Sequence, residues 1–171
     1  MAVEDISKVD EVLKRLEELD SMYIKVGILS SASGEILMIA NVHEFGKDIK
    51  VTDKMRGFFL HHFGVSLKKD TKVIKIPERS FIRSSYDERK DQVGESGDSL
   101  LTKVINGDLA VKSFYELLGE TTKNAIKEYL ISNVNSPPNT ALTIAAKHGK
   151  SNPLVNTGQL VNSIDYEIVG G

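Results

Sequence analysis

The residues able to do chemistry in this chain are few and scattered. His43, His61, His62 and His148 are the side chains that titrate near neutral pH. His43 precedes Glu44, but a zinc-binding His-Glu-x-x-His motif needs a second histidine where Lys47 stands. His61 and His62 are adjacent, so a helix or strand sends them to different sides, and surface or structural roles are the plainer reading. Ser163, His148 and Asp165 have the residue types of a nucleophilic triad, yet nothing in their spacing brings them together, and triads are recognised by geometry. Asp10-Glu11 and Asp87-Glu88 pair carboxylates, but two-carboxylate hydrolysis rests on a defined separation and these read as solvated helix positions. Gly149-Lys150-Ser151 lacks the upstream glycine of a phosphate-binding loop, and there is no Gly-x-Gly-x-x-Gly. With no cysteine there is no thiolate ligand, cysteine nucleophile or disulfide. The expectation is a chain with no catalytic site, no cofactor and no metal.

One segment carries binding chemistry. Between Lys47 and Lys75, the cations Lys50, Lys54, Arg56, Lys68 and Lys69 interleave with Phe58, Phe59 and Phe63. Cations for phosphate and rings for stacking are what a nucleic-acid surface uses. The plainer reading turns the rings inward or onto a neighbouring subunit and leaves the lysines in water. It is preferred because the chain as a whole is not basic, with a net charge of −2. The charge is unevenly placed. Residues 4–20 hold seven acidic against three basic side chains, and residues 47–90 hold twelve basic against six acidic. Two solvated faces explain this; so do opposed patches that steer subunits together.

The elements that position these residues follow from periodicity. The 171 residues, 40% hydrophobic, suffice for one domain with a core. No run nears the roughly 20 apolar residues of a membrane span, and the N-terminus lacks the pattern of a secretory signal. Ile6, Val9, Val12, Leu13, Leu16 and Leu19 share a helical face and predict a helix within residues 1–21. Residues 23–29 alternate as a strand, and Glu35–Phe45 reads as a helix that Gly46 ends. Short strands at Ile49–Val51 and Val73–Ile76 bracket a helix from Lys54 capped by Thr52 or Asp53, so 47–75 is a long hairpin or projecting arm. Residues 84–93, capped by Ser84 or Ser85, and 100–105 read as helices separated by a break at Gly94–Gly97. Asp108 caps the longest helix, 109–134, which Ser136-Pro137-Pro138-Asn139 stops. A short helix over Thr140–Lys147 follows. Thr157 then caps one turn from Gln159 to Ser163, and Ile164, Tyr166 and Ile168 alternate with Asp165 and Glu167 in a last strand. The order predicts an α+β fold: helices on one side of a small, mainly antiparallel sheet in which the first and last strands pair.

Three blocks stand out: Ile39-Ala40-Asn41-Val42-His43-Glu44-Phe45-Gly46, Ile76-Pro77-Glu78-Arg79-Ser80-Phe81-Ile82-Arg83, and Pro153-Leu154-Val155-Asn156-Thr157-Gly158-Gln159-Leu160. In this order and at these separations they resemble the tailed-phage neck or tail-completion proteins, the head–tail joining and virion morphogenesis family, over about residues 23–169. The resemblance implies a structural protein without catalytic activity, in a ring at the junction of the DNA-filled head and the tail. It implies a virion location after synthesis in the host cytoplasm. Its partners would be other copies in a hexamer or dodecamer, the neighbouring head-connector and tail-terminator proteins, and passing DNA as a passive contact, with no membrane. Glu44, Phe45 and Gly46 would form a helix-ending turn. Pro77, Arg79, Phe81 and Arg83 would anchor the segment leading into the next helix. Pro153, Thr157, Gly158 and Leu160 would set the direction of the last strand. The alternative is a small DNA-binding protein that uses segment 47–75.

Overall fold

The two ends of the chain meet in one ribbon. In the computed structural model, which describes residues 2–134, 136–139, 154 and 157–171, β1 (Met22–Ile28) pairs antiparallel with β4 (Ile164–Gly170), from Met22 opposite Gly170 to Ile28 opposite Ile164. Ile164, Tyr166 and Ile168 are buried or half-buried and Asp165 and Glu167 exposed, as the alternation predicts. The helix α1 (Ala2–Asp20) leads into β1. The Tyr115 hydroxyl fixes the joint, donating to the Leu19 carbonyl at 2.7 Å with the Met22 carbonyl 2.9 Å away.

Next come α2 (Gly34–Phe45), β2 (Lys47–Lys50), α3 (Asp53–Phe63) and β3 (Val73–Ile76). Side-chain caps start both helices: the Ser33 hydroxyl accepts from the Ile36 N–H and the Thr52 hydroxyl from the Met55 N–H, each at 3.3 Å. Two long helices follow, α4 (Ile82–Asn106) and α5 (Val111–Ser132), packed along each other, and then the single turn α6 (Gln159–Asn162). The fold is α+β.

α5 lies across the β1–β4 ribbon, and two apolar clusters form around it. The larger joins Ala40, Phe81, Ile126, Leu130, Leu160 and Ile164; the smaller joins Val104, Val111 and Phe114 beneath Leu19 and Met22. Gly119, buried in the middle of α5, is what lets the ribbon come close. A Cβ there would lie 2.4 Å from the Tyr166 ring. The ring sits against the helix backbone, with the Lys123 ammonium 5.2 Å from its centroid.

Four expectations are corrected. The sheet is two separate two-stranded ribbons, β1–β4 and β2–β3. No residue of β2 or β3 is fully buried, so the second ribbon has no face to add to the core and stands off as the root of the arm. The break at Gly94–Gly97 does not exist: α4 runs through both glycines, because packing along α5 overrides their weak propensity, with Leu118 3.7 Å from the position a Gly97 Cβ would take. α4 starts at Ile82, so neither Ser84 nor Ser85 caps it, and Ser85 is buried inside the helix. Asp108 does not cap α5, whose N-cap is Ala110. Its N–H bonds back to the Lys103 carbonyl at 2.8 Å, beside Gly107 in the left-handed region, so it closes α4 instead. The helix expected over Thr140–Lys147 lies outside the described residues.

Alanine exceeds glycine in helix propensity by about 1 kcal/mol. Gly119→Ala is nevertheless expected to lower stability by about 1–3 kcal/mol, because the added methyl must displace the Tyr166 ring. Urea denaturation of the two proteins, with Gly119→Ala/Tyr166→Ala expected to recover part of the loss, measures it.

Candidate functional site

The arm and its root are the part of the molecule with the most concentrated polar geometry. The root is built on Glu44, in the last turn of α2. An acidic residue there opposes the helix dipole of its own helix. The residue is only 5% exposed because its side chain turns to the start of another helix. Its carboxylate accepts from the backbone N–H groups of Phe81 (2.9 Å), Ile82 (3.1 Å) and Arg83 (3.0 Å), from the Ser80 hydroxyl (2.7 Å) and from Arg83 Nε (3.1 Å). The first N–H groups of α4 have no partner within their helix, and a carboxylate at that end also meets the positive end of the dipole. The Ser80 hydroxyl takes the Ser84 N–H at 3.3 Å, and Glu44 caps the three N–H groups before it, which Phe81 at the N-cap cannot.

The exchange runs both ways. Arg83 donates to the Glu44 main-chain carbonyl, and the Arg79 N–H to the His43 carbonyl at 2.8 Å, so the end of α2 is satisfied by the segment that opens α4. The Arg83 guanidinium also lies 4.6 Å from the centre of the Phe45 ring and 2.8 Å from a Glu78 oxygen. Arg79 is buried, and its Nε donates to the Pro137 carbonyl at 2.9 Å, tying down the chain beyond α5. Gly46, with φ 68°, closes the clamp: a Cβ would stand 2.9 Å from the Glu78 nitrogen and 3.1 Å from the Ile76 carbonyl. Pro77 is exposed between them, while Phe81 is fully buried.

Above this root stands the arm. Lys50, Lys54, Lys68 and Lys69 are exposed, as are Phe58 and Leu60 on α3, while Phe59 is half-buried. Phe58 packs on the His62 ring with centroids 4.5 Å apart and edge-on to Phe59. Arg56 is not a surface cation. Its guanidinium donates to the carbonyls of Leu67 (3.2 Å), Lys68 (2.8 Å) and Thr71 (2.7 Å), folding the 64–72 loop back on the helix. The side chain of Phe63 lies outside what the structure describes.

The third block is placed at the other end of the same core. The Thr157 hydroxyl accepts from the Gln159 N–H at 3.4 Å, Gly158 stands as N-cap of α6, and Leu160 is buried beside Ile164. Pro153 lies outside the described residues. Of the three triad residue types, Ser163 Oγ donates to the Gln159 carbonyl at 2.8 Å and Asp165 Oδ1 accepts from the Tyr166 N–H at 2.9 Å, while His148 lies outside the described residues. Glu88 accepts from the Tyr129 hydroxyl at 3.1 Å. Among the described residues no three His, Asp or Glu side chains gather as a metal site, and no helix is long and apolar enough to cross a membrane. Sequence reasoning placed Glu44 in a turn and missed its capping role. The available signal was an acid at the wrong end of a helix. No family model, curated protein or solved structure matches the chain.

Burial by itself pushes the Glu44 carboxyl up, but the N–H groups of Arg83, Ile82 and Phe81 and the Ser80 hydroxyl outweigh it and hold the group below its ordinary 4.5. A lowered carboxyl contributes stability that is complete above the ordinary value and is lost as pH falls through it toward the folded-state value. Thermal melts are expected to lose stability below about pH 4.5 partly through Glu44. Glu44→Gln is expected to cost about 2–4 kcal/mol at pH 7, since donors are left facing a neutral amide. It should also flatten the acid limb of the profile.

Proposed function

We propose that this protein is a structural virion protein of the phage neck, a ring-forming subunit that joins head connector and tail and lets DNA pass. The observation that carries this reading is the convergence of the three blocks on which the resemblance rests. Ala40 from the first, Phe81 from the second, and Leu154 and Leu160 from the third are buried in one cluster, and the first two blocks cap each other's helices through Glu44 and Arg83. Three short segments, far apart in sequence, thus act as one framework.

What the framework holds outward also supports the reading. The β2–β3 ribbon is clamped at Gly46 and Glu78, so the arm projects from a fixed base with Phe58 and Leu60 at its surface. A ring closes through heterologous contacts, in which one surface of a subunit meets a different surface of the next. An exposed apolar and basic arm suits such a contact with a neighbouring subunit or an adjoining ring, and the acidic α1 offers the opposite charge. Its lysines are also the cations a DNA-binding reading would use, although Arg56 is engaged by its own loop.

Deleting residues 54–70 is expected to abolish assembly while leaving a folded monomer, because the β2–β3 pairing and the Gly46–Glu78 contact lie outside the deletion. Negative-stain imaging with tail tubes and circular dichroism of the free chain measure the two outcomes. Unchanged assembly would remove the arm from the joint. DNA affinity of the intact chain that falls steeply with salt, with no particles or rings, would favour the DNA-binding alternative.

A further inference from the structure

α4 and α5 lie side by side but do not close over each other. Between them is a groove of about 550 Å³ with an apolar floor that includes Val93, Leu101, Leu118 and Ala125. On α4 it extends from Ile82 to Leu101, about 28 Å at the rise of an α-helix, which is about five helical turns. Lys90, Asp98 and Arg89 also line it, Arg89 being paired with Glu128 at 3.3 Å. Gly94 lines the groove, and a Cβ added there would meet nothing within 4 Å. A glycine inside a helix weakens it, and among the described residues no group uses the room that Gly94 leaves.

A matching element lies on the same chain. Val9, Leu13 and Leu16 fall on one face of α1 and are 57%, 52% and 42% exposed, while Val12, Arg15 and Leu19 turn toward the body. Asp10 and Glu17 border this stripe on one side, while Glu11 and Glu18 lie on the opposite face of the helix. Arg15 fastens α1 to its own chain through the Ile105 carbonyl at 3.1 Å, beyond the last groove residue of α4.

We propose that the groove receives the Val9–Leu13–Leu16 stripe of α1 from a second copy of the chain. The apolar stripe covers the apolar floor, the acidic edge of α1 at Asp10 and Glu17 meets Lys90, and Gly94 lets the incoming helix approach closely. Groove and stripe are different surfaces, so each bound copy leaves one of each free, and the contact propagates head to tail. The proposal rests on the ring reading only for closure of the assembly.

The chain has no cysteine, so introduced thiols report one contact at a time. Gly94→Cys protein is mixed with Val9→Cys, Leu13→Cys or Leu16→Cys protein, oxidised, and resolved by non-reducing electrophoresis and mass spectrometry. At least one mixture is expected to give a disulfide between the two different chains. In parallel, Gly94→Leu fills the groove. It is expected to weaken self-association at least tenfold by sedimentation while leaving the thermal midpoint unchanged or higher, since it replaces a helix glycine facing open space. Undiminished self-association of Gly94→Leu overturns the proposal. So does a chain that stays monomeric at every concentration. So does a Leu13→Cys/Gly94→Cys chain that links only within itself, or a Gly94→Cys thiol that links instead to Ala146→Cys in the 140–153 segment. If Gly94→Leu still joins tails while the 54–70 deletion does not, the neck reading survives without this contact. If Gly94→Leu blocks self-association of a protein that never engages tails, the contact survives without the neck reading.

Discussion

Glu44 sits at the end of one helix and serves the beginning of another, and the position of every later element depends on that exchange. Burying a carboxylate is costly unless its oxygens are satisfied, and here three backbone N–H groups, a hydroxyl and a guanidinium do so. The geometry leaves little freedom. Three consecutive N–H groups converge on one carboxylate only if α4 begins at Ile82 and points its positive end at the last turn of α2. Arg83 then reaches the carbonyl end of α2, so each helix completes the other. Because β2 leaves this junction at Lys47 and β3 returns to it at Ile76, the same bonds fix the base of the arm.

That coupling explains which parts of the fold were legible in the residues alone. Where an element's signal is local, the reading held. The alternation at Ile164, Tyr166 and Ile168 needs only a half-buried strand, and Thr52, one of the two residues read as a cap, takes the Met55 N–H three residues on. Where the signal was supplied from a distance, it misled. Gly94 and Gly97 look like a break because nothing nearby announces α5, and Ser84 looks like a cap because the true cap lies some forty residues earlier. Asp108 failed for a different reason: a residue between two helices can end the first as readily as begin the second, and Gly107 decided for the first.

The candidate site divides in the same way. Composition marked 47–75 as basic and aromatic but could not say which cations face water. Arg56 looks like Lys54 in a charge count, yet a planar guanidinium can serve several carbonyls at once, and here it organises the 64–72 loop. The lysines stay exposed, and the useful charge of the arm is carried by them. Glu44, Phe45 and Gly46 were seen as a turn, and Arg79, Phe81 and Arg83 as anchors. Their mutual contact was invisible because a hydrogen bond across more than thirty residues has no sequence period.

The placement of exposed apolar groups bears on assembly more directly than the net charge does. Phe58 and Leu60 on the arm and Leu13 and Leu16 on α1 are exposed and lie outside the main cluster. The clamp around Glu44 fixes the base of the arm. A rigid base matters for a head-to-tail contact, since the angle between successive subunits decides whether the assembly closes or runs on as a filament. An arm on a loose loop would leave that angle undefined. In the proposed ring, a capped helix on either side of Gly46 and Glu78 would give it one value, and a buried carboxylate would thereby bear on the shape of the assembly.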